Sequence, residues 1–179
     1  MEATHCQKEE IRICAEADLD AIMQLQEAVC STLDNPEIFA ATSREENAGY
    51  LREPNIILGA FIGNQLVAYC SLAFPGTAED NLAWDLGWPA ERVVICAKLD
   101  TVIVDPAFRG RGLQRILVRQ TSELAEVRQH GVYLLTTVSP HNPHSLRNMQ
   151  AEGFQILLKK EKYGGLERYI LGKQLQTGS

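Results

Sequence analysis

VDPAFRGRGLQRIL, residues 104–117, is the stretch on which the reading of this chain turns. It places Arg109, Arg111 and Arg115 around Gly110 and Gly112, in a protein of formal net charge -6. Just before it, RVVICAKLDTVIV (92–104) is the strongest strand pattern in the chain, rich in β-branched residues. Pro106 opens a turn, and from Arg111 to about His130 the residues Leu113, Ile116, Leu117, Leu124 and Val127 fall largely on one helical face. Gly131 is the expected stop. A strand, a glycine-rich turn and a helix start form a general design for holding an anion. The first helical N–H groups have no intrahelical partner, and the helix dipole favours negative charge there. Glycine lets the backbone approach without a Cβ in the way.

Outward from this unit, the pattern predicts a mixed α and β chain. IRIC (11–14) reads as a strand, and Asp18 precedes a helix whose apolar side is Leu19, Ile22, Met23, Leu25 and Val29. The spacing from Ser43 to Glu46 predicts a capping box and a short helix through about Leu51, stopped by Pro54. Residues 55–62 and 65–74 around Gly63-Asn64 predict a hairpin. Residues 75–91, with Trp84 and Trp88, read as a long loop with at most one helical turn. VYLLTTVS (132–139) predicts a strand covered on both sides, residues 143–152 a short helix closed by Gly153, and the end of the chain a hairpin around Gly164-Gly165.

At 179 residues, with 45% hydrophobic and 22% charged residues, the expectation is a single globular domain over 1–179. The acidic balance argues against nucleic acid as partner, because phosphate neutralisation needs a broad basic surface. No apolar run of about 18 residues appears, which argues against a membrane span. The start, MEATHCQKEE, has no signal-peptide core, so the expected location is cytoplasmic. Cys6, Cys14, Cys30, Cys70 and Cys96 are scattered and never in a CxxC arrangement, consistent with small buried hydrophobes in a reducing compartment. No metal is expected: His141 and His144 have no acidic or cysteine ligand beside them.

Three phosphate-binding designs compete for the turn. A Walker A loop fails because no Gly-Lys-Ser/Thr exists. A dinucleotide fingerprint needs a third glycine where Arg115 stands. The third is an acyl-CoA pyrophosphate site, and here Arg109-Gly110-Arg111-Gly112-Leu113-Gln114 resembles the acetyl-CoA signature of the GNAT superfamily of N-acetyltransferases, with Gln114 where the family has a small residue. NPHSLRNMQAEGF (142–154) resembles the family's asparagine, helix and Gly-Phe segment.

The resemblance implies an α+β GNAT fold, with a mixed, mostly antiparallel sheet of about seven strands, split between strands 4 and 5 and flanked by about four helices. It implies acetyl-CoA as cofactor, with the backbone of Val102, Ile103 and Val104 pairing with the pantetheine. The turn Arg109, Gly110, Arg111, Gly112, Leu113, Gln114 and Arg115 would wrap the pyrophosphate, and Asn142 and Ser145 would border the arm. Relatives are often dimers, so a homodimer is a further expectation.

Acetylating an amine requires its neutral form, which a lysine-like amine adopts about once in a few thousand molecules at neutral pH, so a base helps. Asp100 is the candidate base. Strand alternation puts it on one face with Val102 and Val104, unless it simply pairs with Lys98 or Arg92 or faces solvent. Glu79, Asp80 and Asp85 are rivals in the long loop, where Trp84 and Trp88 either line an acceptor pocket or staple the loop to the core. Met149 occupies the place where relatives often carry a proton-donating tyrosine, and Thr137 a second base position, which leaves Ser145, Tyr163 or water as proton donor. The expected function is therefore an N-acetyltransferase acting on a small-molecule or peptide amine by direct attack. The alternative is a catalytically silent acyl-CoA sensor or interaction module.

Overall fold

A sheet covered on both faces needs apolar residues on both sides of its strands, and the longest apolar runs in the chain become its central strands. The computed structural model describes residues 8–128 and 132–176. Its elements are β1 (Glu10–Ile13), α1 (Leu19–Ser31), α2 (Arg44–Tyr50), β2 (Ile56–Ile62), β3 (Gln65–Ala73), α3 (Ala90–Val93) and β4 (Cys96–Val104). They continue with α4 (Leu113–Arg128), β5 (Tyr133–Val138), α5 (Pro143–Ala151), β6 (Gln155–Lys162) and β7 (Leu166–Gln174). The strands form one sheet in the order β1-β2-β3-β4-β5-β7-β6. Every neighbouring pair is antiparallel except β4 and β5, which run parallel.

On one face α4 buries Leu113, Leu117, Val118 and Ala125 against Leu72, Leu99 and Leu134. On the other, α1 sets Ile22, Leu25 and Val29 on Ile57, Tyr69 and Ile103. A smaller cluster fixes the segment after β3, where Leu82, Ala83 and Val93 pack on Leu135 and Ile170. The predicted cap of α2 is present: Ser43 Oγ accepts from Glu46 N at 3.1 Å, and Glu46 Oε2 from Ser43 N at 2.8 Å.

Two features position the site. Parallel pairing of β4 with β5 extends only from Cys96–Tyr133 to Lys98–Leu135, and the strands then part. At the fork Thr136 Oγ1 donates to Leu99 O at 2.8 Å. From Asp100 to Val104 that edge of β4 has no strand partner among the described residues.

The second feature corrects an expectation. Along β3 and β4, Ser71 faces Thr101 but Leu72 faces Leu99, so Asp100 is an extra residue in a β-bulge. Simple alternation fails there. Leu99, Val102 and Val104 stay with the α4 side, whereas Asp100 lies against Lys98 and near Tyr50 of α2. Asp100 therefore does not share a face with Val102 and Val104.

There are five α-helices among the described residues, one of them the single turn α3, and β4 begins at Cys96 rather than Arg92. Pro89 opens the extra turn α3, and Arg92 is drawn onto an aromatic pair, its guanidinium 3.5 Å from the Trp88 ring centre and 4.5 Å from that of Tyr133. The expected helix stop at Gly131 lies outside the described residues, as do His130, His5 and Cys6.

Candidate active site

The fork and the turn after β4 enclose a cavity of about 470 Å³. Its walls include Val102, Ile103 and Val104, the turn residues Arg109, Gly110 and Gly112, and Leu113, Gln114 and Arg115 at the start of α4. Asn142 and Ser145 stand across from them. Sequence reading missed the other wall, where Val29, Leu33, Ile38 and Phe39 come from α1 and the segment after it, and also missed His144 and Asn148 on α5. Apolar residues scattered through helix and loop carry no positional signal until the fold gathers them.

Gly110 and Gly112 have φ of 81° and 73°, the left-handed region in which a side chain is strained. With Asp105 Oδ1 accepting from Ala107 N at 2.9 Å, they turn the chain from strand into helix. The first helical bond runs from Ile116 N to Gly112 O at 3.0 Å, so the N–H groups of residues 113–115 precede it and, among the described residues, have no partner, which suits an anion.

The three arginines divide their work. Arg111 is not in the wall: its guanidinium pairs with Glu9 at 3.1 Å and lies over the Phe108 ring. Arg115 is in the wall but pairs with Glu152 at 2.8 Å, together with Arg119 at 2.9 Å. Burial would raise the Glu152 pKa, yet the two guanidiniums outweigh it and hold the carboxyl below its ordinary value. Arg109 lines the cavity and has no carboxylate partner among the described residues.

Asn142 caps α5, its Oδ1 accepting from Ser145 N at 3.1 Å, and its amide NH₂ in the cavity wall has no partner among the described residues. Gln114, the departure from the family signature, has a structural use. Its Nε2 donates to Ser145 Oγ at 3.0 Å and its Oε1 accepts from Asn148 Nδ2 at 2.7 Å, joining α4 to α5 across the cavity.

A second cavity, about 340 Å³, adjoins the first at Ile38, Phe39, Val102, Asn142 and Ser145. Asp100, Asp80, Glu46, Lys98, Thr137, Met149, Tyr163 and Arg168 line it. Asp100 Oδ1 pairs with Lys98 Nζ at 2.6 Å, and Thr101 Oγ1 donates to its Oδ2 at 3.3 Å. Burial pulls the Lys98 pKa down, but the Asp100 carboxylate outweighs it and leaves the ammonium above its ordinary value. The Tyr50 phenol is pushed up, first by burial and then by the Asp100 charge. Tyr163 and Thr137 hydroxyls lie 3.2 Å apart.

Of the loop rivals, Asp80 reaches this cavity and sits 3.9 Å from Lys98. Asp85 is committed instead to Lys160 and Lys162 of β6, at 2.6 and 2.5 Å. Glu79, Trp84 and Trp88 are absent from the wall. Trp88 packs edge-on against Tyr133, and Trp84 Nε1 donates to Ala78 O at 3.1 Å, so the tryptophans staple the loop. Burial raises the thiols of Cys14 and Cys70 to about 12 and Cys96 to about 11, which removes them as thiolate nucleophiles near neutrality.

Several solved structures share this architecture. The ribosomal-protein-S18-alanine N-acetyltransferase of Escherichia coli superposes with a TM-score of 0.71 at 17% identity, covering 96% of this chain and 97% of that one. The ribosomal-protein-alanine N-acetyltransferase of Brucella melitensis gives 0.66 at 24%, covering 93% and 99%. A phosphinothricin acetyltransferase from Sinorhizobium meliloti, in complex with acetyl-CoA, gives 0.67 at 16%, covering 96% and 90%. No curated protein matches the chain by sequence. The model of the acetyltransferase (GNAT) family matches residues 19–154, which is most of the chain, and the chain therefore belongs to that family.

Proposed function

We propose that the protein is an N-acetyltransferase that moves the acetyl group of acetyl-CoA to a primary amine by direct attack within a ternary complex. The observation that carries this reading is the pair of adjoining cavities at the fork, one walled by an unpaired strand edge and a glycine-arginine helix start, the other by carboxylates. The residues fit acetyl-CoA. The open edge at Val102–Val104 accepts an extended arm as an added strand would be accepted, and the N–H groups of residues 113–115 with Arg109 suit a pyrophosphate. Asn142 supplies its amide and Ser145 its hydroxyl beside the arm.

In the chemical step an ammonium acceptor first loses a proton toward Asp100, directly or through water. The amine lone pair then attacks the thioester carbonyl carbon. The C–N bond forms, negative charge gathers on the carbonyl oxygen, and an N–H on the β4 edge stabilises it. The C–S bond breaks, the nitrogen sheds its second proton, and the thiolate takes up a proton from a donor that this second proton restores. The products are the amide, the coenzyme A thiol and one proton on Asp100. Met149, 2% exposed in the wall of the acceptor cavity, has none to give. Ser145, which lines both cavities, Tyr163 or water fills that part.

Titration with acetyl-CoA tests the cofactor half. Gly112→Asp puts a charged side chain at a left-handed glycine beside the anion site, and Arg109→Glu reverses the charge left free by the ion pairs. Each is expected to weaken binding at least tenfold. Wild-type protein that fails to bind acetyl-CoA would end this reading.

A further inference from the structure

Among the described residues, buried charges have charged partners, with one exception. Lys98 has Asp100, Glu152 has Arg115 and Arg119, and Asp85 has Lys160 and Lys162. Arg168 of β7 is 3% exposed, and no carboxylate lies within ion-pair distance of it among the described residues. Its hydrogen bonds go to two backbone carbonyls, Nη1 to Glu167 O at 2.9 Å and Nη2 to Glu37 O at 2.5 Å. A guanidinium carries five N–H donors in a planar fork, so most of its donor capacity is unspent. Arg168 also lines the acceptor cavity, near the ring of Tyr163 at 5.9 Å.

A cation taken out of water without a counter-charge is costly unless something completes it. Burial already drags the Arg168 pKa down, which Tyr163 and Glu37 only partly oppose. The same cavity carries the carboxylates Asp100, Asp80 and Glu46, which suit an ammonium. One buried fork with free donors and a separate acidic wall make a receptor for opposite charges on one molecule. The volume, about 340 Å³, suits a small molecule.

We infer that the acceptor is a small amino carboxylate, whose carboxylate is received by the buried guanidinium of Arg168 while its amine is directed to the Asp100 side of the cavity. This rests on the acetyltransferase reading above. Arg168 is then a specificity residue: it separates acids from otherwise identical uncharged amines, because a neutral group leaves the fork unpaired.

The test uses the full chain, acetyl-CoA, and a panel of free L-amino acids, β-alanine and γ-aminobutyrate, each beside its carboxamide. Tyramine and a short peptide with a free N-terminus serve as acceptors outside the class. Acetyl-CoA titration comes first, and failure to bind would strike the parent reading before the panel is run. With binding present, kcat/KM is expected to favour at least one acid over its amide by tenfold or more.

Arg168→Gln should lower kcat/KM for that acid by about 10- to 100-fold, chiefly through KM, as expected for a lost charged hydrogen bond. Its amide should change by less than about twofold, so the preference disappears. Arg168→Lys, which keeps the charge but not the fork, should retain part of it. Equal losses for acid and amide would make Arg168 only a clamp on the Glu37 segment and overturn the inference. Acetylation of tyramine or the peptide with none of the panel acids would overturn it as well.

Discussion

Asp100 shows how one side chain is set to its task by its neighbours. The bulge turns it toward Lys98, 2.6 Å away, in the wall where an acceptor amine would meet the thioester. As a base, it should be worth about 10²-fold in kcat, so Asp100→Asn is expected to cut turnover by that amount and leave the acetyl-CoA titration unchanged. Lys98 keeps a second carboxylate, Asp80 at 3.9 Å, so the variant should remain folded. An unaltered kcat with a lowered melting temperature would reduce Asp100 to the ion-pair partner of Lys98. A silent acyl-CoA-binding module would have no turnover to lose.

At the scale of elements, β2 is packed too tightly at Gly59 to admit a side chain without movement. Gly59 sits where a Cβ would come within 2.7 Å of Cys14 Sγ, 2.8 Å of Phe61 and 2.9 Å of Leu66. Gly59→Ala should therefore destabilise the protein by about 1–3 kcal/mol through overpacking, read as a lower urea midpoint with unchanged slope. Most of the element order was legible beforehand, because alternation, capping spacing and glycine punctuation are local signals. Ser43, Gly112 and Gly164 each mark a boundary that the structure keeps. The bulge at Asp100 was not legible, since register depends on the strand opposite. Nor was α3, where Arg92-Val93 reads as β-branched strand until Trp88 and Tyr133 supply the aromatic surface. The cofactor turn could be read from spacing, whereas Arg168, an arginine within LERYILG, has no sequence mark of its burial.

Across the whole molecule, Glu152 joins the end of α5 to α4 behind the cofactor turn, through Arg115 and Arg119. Its pKa is depressed in the folded state, so its contribution is present above the unfolded value, about 4.3, and is lost as pH falls through the lower folded value. Glu152→Gln should cost about 1–2 kcal/mol at neutral pH, discounted because both arginines are half-exposed. The gap between variant and wild type should close as pH falls below about 4, a trend that urea unfolding at several pH values would reveal. A constant gap would place the effect in packing rather than charge.

The extra residue in β4 also bears on how such proteins can be recombined. A chimera that joins the acceptor half of one relative to the cofactor half of another has to take residues 99–101 from a single parent. If the join drops the extra residue, every position on one side of it changes face. Ile103 would then turn from α1 toward α4, and Val102 and Val104 would turn toward α1. Asp100 thus acts as a reading-frame mark within the sheet: crossovers on either side of it preserve both halves, and a one-residue deletion there exchanges their interiors.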